Sequence, residues 1–264
     1  MGNGSQTERI IALALGERLP VAPGGEHPWR QLVNALDDVQ VENLKVVALG
    51  GGTGLSRIIG GDSRRADWKE EPFTGLKEVF PNLHSIVCVT DDGGSTGEML
   101  KDFPLIGLGD LRRVLLSSIR SSTLKALYRL DDRQAQELAG ALHSLLNCRF
   151  KPSPESAGAL WSESKVSPEV FPSALAEYLT GLIRRLFVDK RIKAALDKPQ
   201  CLGNLLLAAA IYGKLPSFFR VEELVANQKR MQSATLEGIA DLAEVIGAGR
   251  QAVLPCTVTP AQLQ

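Results

Sequence analysis

The sequence predicts an α/β fold in which a parallel sheet is flanked by helices. Two stretches carry this prediction, residues 45–49 and residues 83–90, because in each the apolar residues are largely consecutive and lead directly into glycines. A strand that is buried on both faces of a parallel sheet shows a continuous apolar run rather than an alternating one. We therefore expect ligand loops after residues 49, 90 and 108.

The first loop, Gly50–Gly54, lies between the first predicted strand and a helical pattern. Glycine lets the backbone turn tightly and approach a ligand, and the free N–H groups at a helix start favour a phosphate. The loop is not a P-loop, and Leu55 stands where the dinucleotide fingerprint has its third glycine. A tight connection without a ligand is the alternative. The residues predicted to contact a phosphate are Gly51, Gly52, Thr53 and Gly54.

The second loop, Asp91–Gly97, follows the second predicted strand. Ligands of open α/β sheets bind beyond the carboxyl ends of the strands, so both glycine loops are expected at one edge. Asp91 and Asp92 suit a magnesium ion, which takes one or two carboxylates together with phosphate oxygens and water. One of them binding a ribose hydroxyl, or both being solvated turn residues, are the alternatives. We assign these two residues the catalytic and metal-binding roles, and ligand contacts to Gly93, Gly94 and Ser95.

Two further helix starts complete the predicted site. In the segment 104–113, one interpretation makes Asp110 the cap of its own helix, worth about 1 kcal/mol, and the other gives Asp110 or Arg112 a contact with a polar ligand. In the nearly continuous apolar stretch 201–211, Asn204 either caps the helix or binds the ligand. The predicted ligand-binding residues of these segments are Gly109, Asp110, Arg112, Gly203 and Asn204.

The remaining chain is mostly helical by pattern. Residues 1–43 predict an N-terminal helical extension ahead of a nucleotide-binding domain at 44–264, which carries a helical insertion at about 131–198. Within this region the Ser-, Pro- and Gly-rich segment 151–167 predicts a loop. A final apolar run at 252–258 predicts a strand at a sheet edge or a bulge, because Pro255 cannot donate a ladder hydrogen bond. Other helices are predicted at 73–80, 111–120, 123–130, 134–148, 171–187 and 221–246.

Composition excludes several classes of function. Thirty basic residues balance thirty acidic ones, so nothing in the net charge predicts a nucleic-acid partner. The four cysteines are far apart, which favours free thiols in a reducing compartment. No apolar run reaches the roughly 18 residues of a membrane span, and the N-terminus has no signal-peptide pattern, so we expect no membrane partner and a cytoplasmic location.

Five segments, in this order, resemble the 2-phospho-L-lactate transferase and gluconeogenesis-factor-like family. The resemblance extends over roughly residues 44–260 with gaps. Each segment is modest alone, but five in the family's order are specific. The segments are Gly50–Ser56, Thr90–Gly97, Gly109–Arg112, Gly203–Ala208 and Val253–Thr257.

The resemblance implies a Rossmann-like, three-layer parallel sheet that binds a phosphorylated ligand, such as a nucleotide diphosphate derivative. One family branch transfers a phospholactyl-type group from a guanosine diphosphate carrier to a deazaflavin alcohol with magnesium. The other branch resembles a nucleotide-sugar-binding regulator of carbon metabolism and cell-wall supply. The segment Asp91–Gly97 is closer to the regulatory branch, so we expect a regulator. The transferase and a non-catalytic interaction protein are the alternatives, and a homo-oligomer is compatible with each.

Overall fold

The computed structural model describes residues 43–90, 93–221, 223 and 227–259. The extension predicted for residues 1–43 lies outside this range except for its last residue, and so do Asp91 and Asp92. The strands and α-helices are β1 Val46–Gly50, α1 Gly52–Gly60, α2 Leu76–Val79, β2 Leu83–Val87, α3 Gly94–Leu100, α4 Leu108–Ser117, α5 Ser121–Tyr128, α6 Asp132–Asn147, β3 Arg149–Phe150, α7 Ala157–Ser164, α8 Ser173–Val188, β4 Gln200–Cys201, α9 Leu202–Tyr212, α10 Gln228–Val245 and β5 Val253–Pro255.

The larger sheet contains three parallel strands in the order β1, β2, β5. Val46 pairs with Leu83, Gly50 with Val87, and Val87 with Pro255, so all three strands end at the same level. This arrangement confirms the predicted α/β class and the adjacency of the first two strands. Because parallel strands share a direction, the loops that follow β1 and β2 leave from one edge of the sheet.

Helices cover one face of this sheet and carry most of the core. The strand residues on that face, such as Leu83, Val87 and Val253, are at most 4% exposed. Helix α9 is buried along its whole length and packs against α4, α6, α8 and α10. On the opposite face Val47 and Leu49 are 50% and 72% exposed within the described residues. No helix in the described ranges combines the length and apolarity needed to cross a membrane.

The segment predicted as a loop at 151–167 contains a helix instead, α7. Ser156 caps its first turn by accepting a hydrogen bond from the amide of Ala159 at 3.3 Å, and Leu160 and Trp161 are buried. Serine was therefore a helix-start signal here rather than a loop signal. The structure also contains a two-stranded antiparallel sheet of β3 and β4, which no pattern predicted. Whether the helices at 131–198 form an insertion stays a prediction.

Two predicted helix starts are also shifted. The helix predicted from Phe73 is only the four-residue α2, because Gly75 adopts a left-handed φ of 82° immediately before it. Pro172, which lies inside the helix predicted at 171–187, instead precedes α8 as its N-cap. Both differences concern boundaries, where local backbone geometry outweighs the apolar pattern.

Lys77 is a buried cation in the core beside α1. It is 1% exposed, its Nζ donates to the carbonyl of Pro72 at 2.6 Å, and the rings of Trp68 and Phe73 lie within 6 Å. No described carboxylate forms an ion pair with it. Desolvation lowers the pKa of Lys77 to about 7, with an opposing attraction from Glu78 and a further repulsion from Arg120.

Substituting Lys77 by methionine should change how the free energy of unfolding depends on pH. Between pH 7 and the unfolded pKa of 10.5, the unfolded chain holds a proton that the folded chain lacks, so raising the pH stabilises the parent. The parent should gain up to about 1.4 kcal/mol per pH unit relative to Lys77→Met across this window. Urea unfolding at several pH values measures this difference.

The matched control for this experiment is Lys165→Met, because Lys165 is exposed. Its unfolding free energy should follow that of the parent at each pH. Parallel pH profiles for the parent and Lys77→Met would contradict the assignment of a depressed pKa to Lys77.

Candidate functional site

Backbone hydrogen bonds bring three of the predicted ligand segments to one edge of the sheet. The amide of Cys88 donates to the carbonyl of Gly50 at 2.9 Å, which keeps the ends of β1 and β2 together. The amide of Gly107 donates to the carbonyl of Val89 at 3.1 Å, which sets the start of α4 beside the end of β2. The loops after residues 49, 90 and 108 therefore leave from neighbouring points.

Asp110 links the starts of two helices. It is the third residue of α4, whose N-cap Gly107 has no side-chain bond, so Asp110 is not the cap of its own helix. Instead, its Oδ2 accepts from the amide of Gly52, the first residue of α1, at 2.7 Å. Its Oδ1 accepts from Nη1 of Arg113 at 2.5 Å. The positive end of the α1 dipole is thus already matched by an internal carboxylate.

This contact changes the expectation for the first glycine loop. A phosphate placed at the Gly52 amide would meet the negative charge of Asp110 at close range. A Cβ on Gly52 would lie 2.7 Å from Cα of Asp110 and closer still to its carboxylate. Gly52 is therefore required by the approach of Asp110, independently of any ligand. Phosphate contacts of Gly51, Thr53 and Gly54 stay predictions.

Arg112 and Asn204 bind each other inside the protein. Arg112 is 7% exposed, and its Nε donates to Oδ1 of Asn204 at 3.0 Å. Its Nη1 donates to the carbonyl of Leu146 at 2.9 Å and to the side chain of Asn147. Burial lowers the pKa of Arg112, and no carboxylate in the described ranges forms an ion pair with it. These bonds join α4, α6 and α9 behind the edge.

Gly203 is required at the start of α9 by the same packing. A Cβ there would lie 2.6 Å from Cδ of Arg112 and would overlap the carbonyl oxygen of Leu146. Gly203 and Asn204 therefore have a structural reason to be present in this segment. Whether either also contacts a ligand stays a prediction.

Ser95 connects the second glycine loop to the start of α9. Its hydroxyl donates to Oε1 of Gln200 at 2.5 Å and accepts from the amide of Cys201 at 2.9 Å. Ser95 and Gln200 are 8% and 1% exposed, and Nε2 of Gln200 has no hydrogen-bond partner among the described residues. The loop after β2 is thus anchored to a segment about one hundred residues further along the chain.

A cleft of about 610 Å³ lies beside Ser95. Arg149 lines it, and within the described residues the guanidinium of Arg149 forms neither an ion pair nor a hydrogen bond. Lys101 also lines the cleft, but its ammonium is paired with Glu98 at 2.6 Å. The other lining residues are Gly94, Gly97, Glu98, Leu100 and Pro199.

Sequence reasoning missed Arg149. No motif surrounds it, and it lies on the two-residue strand β3, which has no apolar periodicity of its own. The pairing of β3 with β4 places it there, since Arg149 pairs with Cys201 and Phe150 with Gln200. Only tertiary structure brings this cation to the second glycine loop.

The predicted site residues fall into four places. Gly51–Gly54 form the N-cap and first turn of α1, and Gly109, Asp110 and Arg112 lie near the start of α4. Gly203 and Asn204 are in the first turn of α9, while Gly93–Ser95 begin α3. Asp91 and Asp92 are outside the described residues.

The residues that the structure describes do not by themselves form a metal site. No group of three or more His, Cys, Asp or Glu side chains within these ranges is suited to hold a metal ion. Asp110, the carboxylate nearest the first loop, is committed to Gly52 and Arg113. The predicted magnesium therefore depends on Asp91 and Asp92 and stays a prediction.

Comparison with protein families identifies the family of this chain. The model of the family described as 2-phospho-L-lactate transferase CofD matches residues 46–264, which is most of the chain. The chain belongs to this CofD family. The match includes all five segments on which the resemblance was based and confirms it.

Individual relatives carry the name "Putative gluconeogenesis factor". One from Nostoc is 28% identical over 181 residues, which is 66% of this chain and 36% of the relative. One from Streptococcus pyogenes is 30% identical over 145 residues, or 54% and 38%. One from Clostridium acetobutylicum is 35% identical over 77 residues, or 29% and 14%. The matched part thus spans less than two fifths of each of these relatives. No solved structure matches this chain.

Replacing Gly52 by alanine should destabilise the fold. The added Cβ forces α1 and α4 apart or displaces the Asp110 carboxylate, which typically costs about 1–3 kcal/mol. Gly54→Ala is the matched control in the same turn, because a Cβ there has nothing within 4 Å. That control should be neutral or stabilise by up to about 1 kcal/mol. Chemical denaturation of both variants tests the contact, and equal effects would contradict it.

Proposed function

We propose that this CofD-family protein binds a nucleoside diphosphate derivative, with a nucleotide sugar as the first candidate, at the carboxyl edge of its sheet. In this proposal the protein acts as a regulator in carbon or cell-wall metabolism and does not turn the ligand over. Two observations carry it: three ligand-type loops leave one edge of the sheet, and the second of them lines a cleft whose Arg149 has no partner among the described residues. The names of the relatives favour the regulatory role.

In the proposed complex the diphosphate lies in the cleft against Arg149. A guanidinium binds phosphate oxygens through two parallel N–H donors, and Arg149 has no described protein partner that competes. Asp110 disfavours the alternative location at the start of α1. The cleft volume of about 610 Å³ is within the range of small-molecule sites.

The buried bonds behind the cleft prepare it for a ligand. Ser95 is fixed by Gln200 and Cys201, so the backbone of the second glycine loop is held before a ligand arrives. A preorganised site loses less conformational entropy on binding. Magnesium on Asp91 and Asp92 would neutralise the diphosphate charge, the usual role of this ion beside phosphates.

The description of the family supports a second candidate, a magnesium-dependent transferase. It would move a phospholactyl-type group from a guanosine diphosphate carrier to a deazaflavin-like acceptor. Such a transfer needs positioning and charge neutralisation more than a covalent nucleophile, and the same cleft and aspartates would supply both. A non-catalytic interaction protein is the third candidate, in which the edge binds no nucleotide.

Thermal unfolding with a ligand panel tests the proposal. A UDP-sugar at 100 times its dissociation constant should stabilise the protein by about 2.7 kcal/mol. Arg149→Gln should weaken this binding tenfold or more, because it removes a charge-assisted hydrogen bond. Arg129→Gln, at an exposed arginine that does not line the cleft, is the matched control and should bind like the parent.

Each outcome separates the candidates. A shift with the UDP-sugar and no turnover supports the regulator, whereas a joint shift with GDP and a deazaflavin alcohol, followed by product, supports the transferase. No shift with any nucleotide would favour the interaction protein. Unchanged binding in Arg149→Gln would remove the cleft from the proposal.

The double variant Asp91→Asn, Asp92→Asn should lose ligand affinity while keeping the fold. Asparagine is nearly isosteric and turns tolerate it, but the lost carboxylates remove metal or ribose contacts. Affinity should fall tenfold or more by calorimetry. Adding EDTA to the parent should reproduce this loss only if magnesium mediates the contact. If the double variant binds as tightly as the parent, both aspartates are plain turn residues.

A further inference from the structure

A second cavity lies at the opposite end of α9 from the cleft. It has a volume of about 660 Å³ and lies beside the C-terminal turns of α8 and the residues after α9. Asn204 is in the first turn of α9, whereas Arg191 beside the cavity bonds the carbonyl of Tyr212, the last residue of α9. Eleven helical residues span about 16 Å, so this basic pocket is separate from the proposed nucleotide site.

The floor of the basic pocket is a buried ion pair. Nε and Nη2 of Arg191 donate to the two carboxylate oxygens of Asp189 at 2.8 and 2.6 Å. Nη1 of Arg191 also donates to the carbonyl of Pro216 at 3.0 Å, and both side chains of the pair are at most 8% exposed. Among the lining residues that the structure describes, Asp189 is the only carboxylate, and its charge is already balanced by Arg191.

Three further cations line the basic pocket: Arg184, Arg185 and Lys190. Within the described residues, none of them forms an ion pair or a hydrogen bond with a protein group. The Nε of Arg185 is buried and has no acceptor among the described residues. A buried donor without an acceptor is unfavourable by about 1–3 kcal/mol, and no described protein group compensates the burial of this N–H.

Favourable interaction with helix dipoles accounts for part of this arrangement. Cations near a helix C-terminus are stabilising, and Arg191 has this role at the end of α9. That effect does not require a cavity. A ligand accounts for both the cavity and the excess positive charge of its lining.

We propose that the basic pocket binds a small anion that carries two or more phosphate groups. Three unbalanced cations match a diphosphate better than a monocarboxylate, which would neutralise only one of them. The guanidinium groups of Arg184 and Arg185 bind phosphate oxygens with paired donors, and Lys190 adds a point charge. The balanced charge of the whole chain argues against an extended nucleic-acid surface.

Calorimetric titration with inorganic pyrophosphate at low ionic strength tests this site. In the double variant Arg184→Gln, Lys190→Gln, the affinity of the basic pocket for pyrophosphate should fall at least tenfold, because two charged contacts are lost. Both side chains are exposed, so the melting temperature should stay close to that of the parent. The matched control is Arg129→Gln, Lys165→Gln, which removes the same charge from exposed residues elsewhere and should change the affinity less than twofold.

A third variant keeps this proposal separate from the nucleotide site. Arg149→Gln should leave the affinity of the basic pocket for pyrophosphate unchanged, even if pyrophosphate also binds in the cleft. If the pocket variant and its charge control lose the same affinity for pyrophosphate, the loss reflects the lower net positive charge of the protein. That result would overturn the proposal. Unchanged binding in the pocket variant would overturn it as well, as would a single-stranded RNA that competes and binds more tightly than pyrophosphate.

Discussion

The hydrogen bond between the Asp110 carboxylate and the Gly52 amide is the contact on which the site edge depends. It joins the first turns of α1 and α4, the helices that follow the first and third predicted loops. A hydrogen bond to a charged group contributes about 1.5–3 kcal/mol, and this one also matches the α1 dipole. Because Gly52 has no side chain, the two helices approach closely enough to form it.

A buried polar network extends this constraint through the core. Arg112, two residues after Asp110, binds Asn204 and the last turn of α6, so α4 and α9 cannot move independently. Ser95 binds the residues that lead into α9 and fixes the second loop to the same helix. Breaking one member would leave buried groups unsatisfied, which makes the network rigid. A rigid edge suits the binding of a phosphorylated ligand.

Helix α9 connects the two proposed ligand sites. It is apolar and buried along its length, so its two ends have a fixed separation. One end belongs to the network behind the cleft proposed to bind a nucleotide, and the other lies beside the basic pocket. The matched part spans less than two fifths of each of these relatives.

The sequence alone was sufficient for the parallel sheet, the family and the order of the loops. Continuous apolar strands that end in glycines are a local signal, and five segments in order are specific. It was insufficient for α7, where Ser156 acts as a cap, and for the two-residue strands β3 and β4, which have no periodicity.

In the candidate site, too, the sequence predicted some features and only the tertiary structure showed the others. Local patterns marked Gly52, Asp110, Arg112, Gly203 and Asn204, but the structural reason for each is a partner far away in the chain, such as Asp110 for Gly52 or Leu146 for Gly203. Arg149 and the cations of the basic pocket carry no motif at all. Their arrangement depends on which helices and strands pack together, and long-range packing is not encoded in the pattern of any single segment. The sequence therefore determined which residues take part in the edge, and the tertiary structure decided which of them bind each other and which cations have no partner among the described residues.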